Sequence, residues 1–333
     1  MRHFFAACGG TGIVLLLGLL TMAATAPVCS AQAQTAYPTR SVRVLVPFAV
    51  GGVADITVRI VVERLGEKLS QRFVVENHPG AGGIVAARAA ISAPTDGYTI
   101  TLLTNGTAIS VKLLKSFPLD VVKDFAPIST LGYFDWILAV NAASPVRSLR
   151  DFVKTARERP GTLNVGTVSV GSSQHLTAEL FKSMAGISFD IVHYRTTSDV
   201  VVALLREDVQ LIVDSYAALK SSLVDEKIRA LAVSGATRFE ILPDIPTVQE
   251  NGIADFEVSS WNGLFTPAGT PPAVITILNQ ALQKSLAEPE LKKRLLEFGI
   301  QAKASTPEGL QSRLRADIEK WGGVIERAGI PKQ

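Results

Sequence analysis

Short apolar runs alternate with amphipathic stretches along most of this chain. Val42-Arg43-Val44-Leu45-Val46 reads as a buried strand, and over 53–69 Val58, Val61, Val62, Leu65 and Leu69 recur at helical spacing, which predicts a helix with one apolar face. A second strand is expected over 72–76. After the turn Pro79-Gly80-Ala81-Gly82-Gly83 a helix runs to about Ser92, and a third strand covers 98–103. Strand, helix, strand, helix, strand at this spacing predicts right-handed crossovers and a parallel sheet covered on both faces. A second unit begins after an apolar strand over 136–140. It contains a helix over 149–157, a strand over 163–167, a helix over 173–185, and strands over 190–194 and 209–214. The alternation repeats without repetition of sequence. A strand over 229–234 and a polar-faced extended segment over 258–265 follow. The remainder is helical, with Thr270-Pro271 and Thr306-Pro307-Glu308 each placing a cap before a first-turn proline. Nothing rich in Pro, Gly or Ser separates the units, which predicts two lobes joined by crossing strands.

The first 33 residues change the picture. Arg2 precedes the apolar stretch Ile13-Val14-Leu15-Leu16-Leu17-Gly18-Leu19-Leu20, and the segment finishes at Ala31-Gln32-Ala33. This is the pattern of a signal peptide over 1–33, with cleavage expected near Ala33 and secretion to the periplasm. Lipidation at Cys29 is disfavoured by Val28, which stands where a small residue is wanted. Both cysteines of the chain, Cys8 and Cys29, fall in this leader, so the mature chain has no disulfide, thiol nucleophile or thiolate metal site. Loss of Arg2 takes the formal charge from +3 to +2, a balance that gives no electrostatic argument for nucleic acid. The roughly 300 residues that remain exceed what one core usually organises.

Candidate chemistry gathers at two glycine turns. Val46-Pro47-Phe48-Ala49-Val50-Gly51-Gly52-Val53-Ala54-Asp55 closes a strand and opens a helix, so free backbone N–H groups and a helix N-terminus meet where a small anion is suited. Ligands of such sheets lie beyond the carboxyl ends of strands, which is where Gly51 and Gly52 fall. Gly171-Ser172-Ser173-Gln174-His175 offers a second such junction. Taken alone, Ser172 is equally well a helix cap; the pairing with the first turn favours a ligand. Ser172 and His175, three residues apart, lack the G-x-S-x-G elbow of a nucleophile, and a catalytic pair is disfavoured. The histidines left after the leader, His78, His175 and His193, have no paired spacing for a metal. The turn Gly80-Ala81-Gly82-Gly83 lacks full dinucleotide spacing and reads as close helix-to-sheet packing. Asp55 and Asp214, near strand ends, are candidates to receive a ligand amine or hold water; otherwise Asp55 complements a helix dipole and Asp214 starts a turn.

Several motifs occur in order. They are Tyr37-Pro38, the 46–55 block, Val74-Val75-Glu76-Asn77-His78-Pro79-Gly80-Ala81-Gly82-Gly83, Pro94-Thr95-Asp96-Gly97-Tyr98-Thr99 and Lys123-Asp124-Phe125. Gly171-Ser172-Ser173-Gln174-His175-Leu176, Leu242-Pro243-Asp244-Ile245-Pro246-Thr247-Val248 and Pro267-Ala268-Gly269-Thr270-Pro271 follow. Together they resemble the Bug family, the extracytoplasmic solute receptors of tripartite tricarboxylate transporters (TctC-like). The resemblance implies an α/β, type II periplasmic binding protein: two α/β lobes joined by crossing hinge strands, with the ligand in the interlobe cleft. Lobe 1 is expected over 36–136 plus 259–333 and lobe 2 over 137–258. It implies a small carboxylate (a di- or tricarboxylate, an aromatic acid or a related compound) held at Phe48, Val50, Gly51, Gly52 and Asp55. Thr104 and Asn105 after the third strand, Ser172 and Ser173 at the second-lobe helix start, and Tyr194, Arg195 and Thr196 complete that implied site, with His175 and Asp214 added from the residues themselves. The sequence departs from the family's pattern in three places. Val50 stands for the usual proline, Tyr194-Arg195-Thr196 for Tyr-Lys-Gly, and Ser110-Val111-Lys112-Leu113-Leu114 for Asn-Pro-x-Leu-Tyr. If Arg195 points inward, a dicarboxylate gains support. The implied partners are the permease subunits of the transporter, with the receptor a monomer, without cofactor or metal and not an enzyme. Alternatives are a ligand-sensing adaptor for a periplasmic sensor kinase and a secreted serine hydrolase using Ser172 and His175.

Overall fold

In the computed structural model, which describes residues 37–333, the first apolar run is strand β1 (Val42–Val46), buried along its length except at Arg43. It pairs in parallel with β2 (Phe73–Asn77) and β3 (Thr99–Thr104). Helix α1 (Val53–Leu69) and, after a 3-10 turn at Ala81–Gly83, helix α2 (Ile84–Ile91) make the connections. α1 buries Val58, Val61, Val62 and Leu65 in a core shared with Val42, Val44 and Val46. Each such side chain contributes about 1.5–3 kcal/mol on burial, which is why the helical spacing of these residues decides the face turned inward.

The chain continues through α3 (Asn105–Leu113), β4 (Phe125–Asn141), α4 (Leu149–Glu158), β5 (Asn164–Val168), α5 (Ser173–Ala185) and β6 (Asp190–Tyr194). Then come α6 (Thr197–Leu205), β7 (Leu211–Ser215), α7 (Tyr216–Val224), β8 (Ile228–Val233) and β9 (Ser259–Pro267). α8 (Pro272–Leu286), α9 (Pro289–Leu296), the short β10 (Gln301–Ala302) and α10 (Pro307–Arg327) complete it. The alternation and nearly all expected elements are present, but the sheet is mixed rather than parallel. β9 lies between β3 and β4 and is antiparallel to both, and β4 is antiparallel to β7 and β8; β5 keeps parallel neighbours in β6 and β7. β9 returns from far along the chain, so no short right-handed crossover fixes its direction.

β4 is 17 residues long where only 136–140 reads as strand. Its first half is disguised by Pro127, Ser129, Thr130 and Gly132. Ser129 and Thr130 are nevertheless fully buried, because the Ser129 hydroxyl donates to Ser305 O (3.1 Å) and that of Thr130 to Lys303 O (2.7 Å). The register shifts at Pro127/Ser129 and Thr130/Gly132, bulges that absorb the missing proline donor. Phe125 to Asp135 pair with β9, whereas Trp136 to Asn141 pair with β7 and β8, so one strand passes through both α/β halves.

A second segment crosses beside it. The Ser234 hydroxyl donates to Val258 O at 2.5 Å and accepts from Trp136 N at 2.8 Å, while Ser234 N donates to Trp136 O at 2.9 Å. The far half is built on an aromatic core in which Phe152, Phe181, Phe189 and Phe256 are fully buried, the Phe181 ring lying 6.1–6.4 Å from the other three. The leader, its cleavage point and both cysteines lie outside the described residues. Among the described residues no helix is long and apolar enough to cross a membrane.

Candidate functional site

A cavity of about 590 Å³ opens between the ends of elements from both halves. Its wall takes Pro47, Phe48, Ala49, Gly52, Val53 and Ala54 from the β1–α1 junction, and Pro79, Gly80, Gly82 and Gly83 from the turn after β2. Thr104, Gly106, Thr107 and Ser110 come from the start of α3, and Gly171, Ser172, Ser173 and Gln174 from the start of α5. Phe134 and Trp136 of β4, Ser215, and Ser260 and Asn262 of β9 close it. Among the described residues the wall carries no charged side chain.

Four helices begin here: the N-caps of α1, α3, α5 and α7, which are Gly52, Thr104, Ser172 and Ser215, are all wall residues. Each helix start carries unpaired N–H groups and about half a positive charge, so their convergence makes a neutral wall attractive to an anion. Two starts are closed by their own hydroxyls. Thr104 Oγ1 accepts from Gly106 N at 3.1 Å and Ser172 Oγ from His175 N at 3.1 Å. α1 and α7 have no side-chain cap, which leaves first-turn donors for a bound group. Gly51 needs its glycine, since its φ is +91°, and Gly52 has open space where a Cβ would stand.

Asp55 is buried but does not form the wall. Its carboxylate accepts from Gly51 N (2.9 Å), Arg59 Nε (3.0 Å) and Asn77 Nδ2 (2.9 Å), and the same Asn77 amide donates to Phe48 O (2.9 Å). Burial is the largest single influence and opposes its charged form. The hydrogen bonds from Arg59, Asn77 and Gly51 together outweigh it, holding the carboxyl below its ordinary range. Asp55 thus shapes the glycine turn from behind. Arg59 and Asn77, which the sequence reading passes over as partners, join it from one helical turn on and from the end of β2.

His175 plays a similar part for the second turn. It is 4% exposed, and its Nδ1 accepts from Gly171 N at 2.9 Å while Nε2 lies 3.7 Å from Glu179 Oε1. The Ser172 hydroxyl donates to Val168 O. The imidazole nitrogens therefore serve Gly171 and Glu179, and Ser172 and His175 share a hydrogen bond only through the His175 backbone. Gly171, at φ +78°, packs so tightly on Leu113 that a Cβ would overlap it.

Asn105 is fully buried behind Thr104; its Oδ1 accepts from Trp321 Nε1 (2.6 Å) and its Nδ2 donates to Ser173 Oγ (3.3 Å), linking α10, α3 and α5. Asp214 is 2% exposed and accepts from Thr197 Oγ1 (2.6 Å), Ser215 N (2.7 Å) and Gln174 Nε2 (3.4 Å). Burial outweighs these bonds and pushes its carboxyl up. Phe48, Gly52, Thr104, Ser172 and Ser173 thus meet at the cavity, with Gly51, Asp55, Asn105, His175 and Asp214 directly behind it. Val50, Tyr194, Arg195 and Thr196 are not in the wall. Val50 and Arg195 are exposed, and Thr196 caps α6 by accepting from Asp199 N. The turn over 79–83, expected to serve packing, supplies wall as well, and Gly82 approaches so closely that a Cβ would meet Ser110 Oγ at 2.7 Å. Phe134 and Trp136 alternate along one strand face, a spacing of two that marks them as neighbours once their strand is recognised.

Residues 57–330 match the model of the tripartite tricarboxylate transporter family receptor, TctC. BugT of Bordetella pertussis is 28% identical over 321 residues, covering 96% of this chain and 98% of its own. The structure of Rpa4515 of R. palustris with adipate superposes with a TM-score of 0.77 at 34% identity, over 89% of this chain and 99% of the other. MatC (Rpa3494) of Rhodopseudomonas palustris with bound malate gives 0.72 at 28%, over 87% and 100%. Two α/β halves with helix starts facing a common cavity are thus this chain's version of a shared periplasmic-binding architecture, and the chain belongs to the TctC family of tripartite tricarboxylate transporter receptors.

Proposed function

We propose that the protein is a periplasmic solute receptor that captures a small carboxylate in the cavity and delivers it to the membrane permease of a tripartite transporter. The observation that carries this reading is the convergence of four helix N-termini on a wall free of charged side chains, a place for an anion and not for a proton-transfer pair. Adipate and malate in the two related structures support a carboxylate. The halves correspond to lobe 1 over 36–136 plus 259–333 and lobe 2 over 137–258, and they close about the crossing at Trp136, Ser234 and Val258 as a monomer. Arg195 stands away from the cavity, so a dicarboxylate gains nothing from it.

Thermal unfolding of the purified protein, stripped of co-purified ligand, is to be followed with a panel of acids that includes adipate and malate. A ligand at 100 times its Kd adds about 2.7 kcal/mol of stability. A selective rise in Tm that falls on Gly52→Ala is expected. A folded protein that responds to no acid would overturn the carboxylate reading.

A further inference from the structure

We infer that the β4 wall of the cavity selects an aryl carboxylate carrying a neutral hydrogen-bond acceptor remote from its carboxylate, and that Trp136 Nε1 is the donor that recognises this acceptor. This rests on the receptor reading above and goes beyond it in naming the ligand's chemistry and the residue that reads it.

The chain has three tryptophans. Trp261 Nε1 donates to Asp317 Oδ2 at 2.6 Å and Trp321 Nε1 to Asn105 Oδ1 at 2.6 Å, so two indoles are paired within the fold. Trp136 is the exception: it is a wall residue, 4% exposed, and its Nε1 is buried with no partner. A buried unpaired donor destabilises by about 1–3 kcal/mol, and shielded from bulk water this one is paired only by a group held in the cavity.

The surroundings define that group. Phe134 stands edge-to-face with Trp136, ring centroids 5.4 Å apart at 78°, and both belong to the wall. Phe48 adds a third aromatic side chain, 38% exposed. Such a wall favours a ring by edge or offset contact. A second carboxylate placed there would lose its water beside rings and a single neutral donor, with no cationic side chain to replace it, whereas a carbonyl or ring nitrogen loses far less. The ligand's one carboxylate is left to the helix starts.

Titration calorimetry with 4-acetylbenzoate, its near-isosteric but acceptor-free analogue 4-isopropylbenzoate, adipate and malate tests this. The wild-type protein is expected to bind 4-acetylbenzoate about tenfold more tightly than 4-isopropylbenzoate, a preference lost in Trp136→Phe. In amide-type NMR spectra of the wild-type protein, one of the three indole N–H signals is expected to move downfield with 4-acetylbenzoate and not with 4-isopropylbenzoate; this readout stands even where the variant fails to fold. Equal affinity for the two aryl acids, or a preference that survives in Trp136→Phe, overturns the inference. Binding of adipate or malate without binding of either aryl acid overturns it and leaves the receptor reading intact. Binding of none of the four by folded protein removes both.

Discussion

Asp135 sits on β4 where the strand passes from one half to the other, 9% exposed, with its Oδ1 accepting from the Ser259 hydroxyl at 2.5 Å. Burial, the largest influence, raises its pKa from 3.8 to about 6; the Ser259 hydrogen bond opposes this, the Glu257 charge adds to it and Arg313 counters. A carboxyl whose folded pKa lies above its unfolded one favours folding fully below the unfolded value, and that advantage is lost as pH rises through the folded value. At 1.36 kcal/mol per unit, the two-unit gap sets a ceiling of about 3 kcal/mol on the penalty of holding this carboxylate ionised above pH 7. Asp135→Asn keeps an oxygen for Ser259 and removes the charge. Urea unfolding of parent and variant at pH 4, 6 and 8 is expected to show the variant more stable at pH 8 by about 1–3 kcal/mol, with the difference closing between pH 7 and 4. Comparison of the two proteins cancels the titration of every other group. A constant offset across that range, or a variant less stable at pH 8 than at pH 4 relative to parent, would refute the assignment.

Asp55→Ala frees Gly51 N, Asn77 and Arg59 together and is expected to destabilise by about 1–3 kcal/mol while weakening ligand affinity. Because the Asp55 carboxyl is held below its ordinary range, the stability difference is present above pH 4 and shrinks as pH falls through the lowered value, which acid-to-neutral unfolding curves check. Ser172→Ala removes the cap of α5 and is expected to lower unfolding free energy by about 1 kcal/mol in urea, and a change under 0.3 kcal/mol would contradict the cap. Phe181→Ala, in the fully buried aromatic cluster of the far half, should cost about 3–5 kcal/mol with the near half's cavity unaltered, read from calorimetric Tm beside ligand affinity.

The apolar runs at 42–46 and 136–140 and the helical spacing over 53–69 were legible because burial alone sets their pattern. The first half of β4 was not, because Ser129 and Thr130 satisfy their hydroxyls on the carbonyls of Ser305 and Lys303, some 175 residues away, and polar residues paired at that distance look like loop. Helix α3 escaped notice for a local reason: Asn105, Gly106 and Thr107 favour a turn until Thr104 and Thr107 form reciprocal cap bonds. In the site, the two glycine turns were readable from composition, since positive φ and close approach demand glycine. What could not be read was the direction of Asp55 and Asp214, whose partners Asn77 and Thr197 come from other elements and turn both carboxylates away from the cavity. Trp136 was hidden in the apolar run that revealed its strand.

The position of β9 between β3 and β4 has a consequence for how the chain is made. When the ribosome has synthesised everything up to residue 258, β3 and β4 each still wait for the strand that joins them, and the two edges stand open in the middle of the sheet. Open edges of this kind recruit other strands, so the near half is vulnerable to wrong pairing for as long as residues 259–267 are missing. Its completion depends on the last quarter of the chain, which ties folding of the whole molecule to release from the ribosome rather than to the emergence of either half.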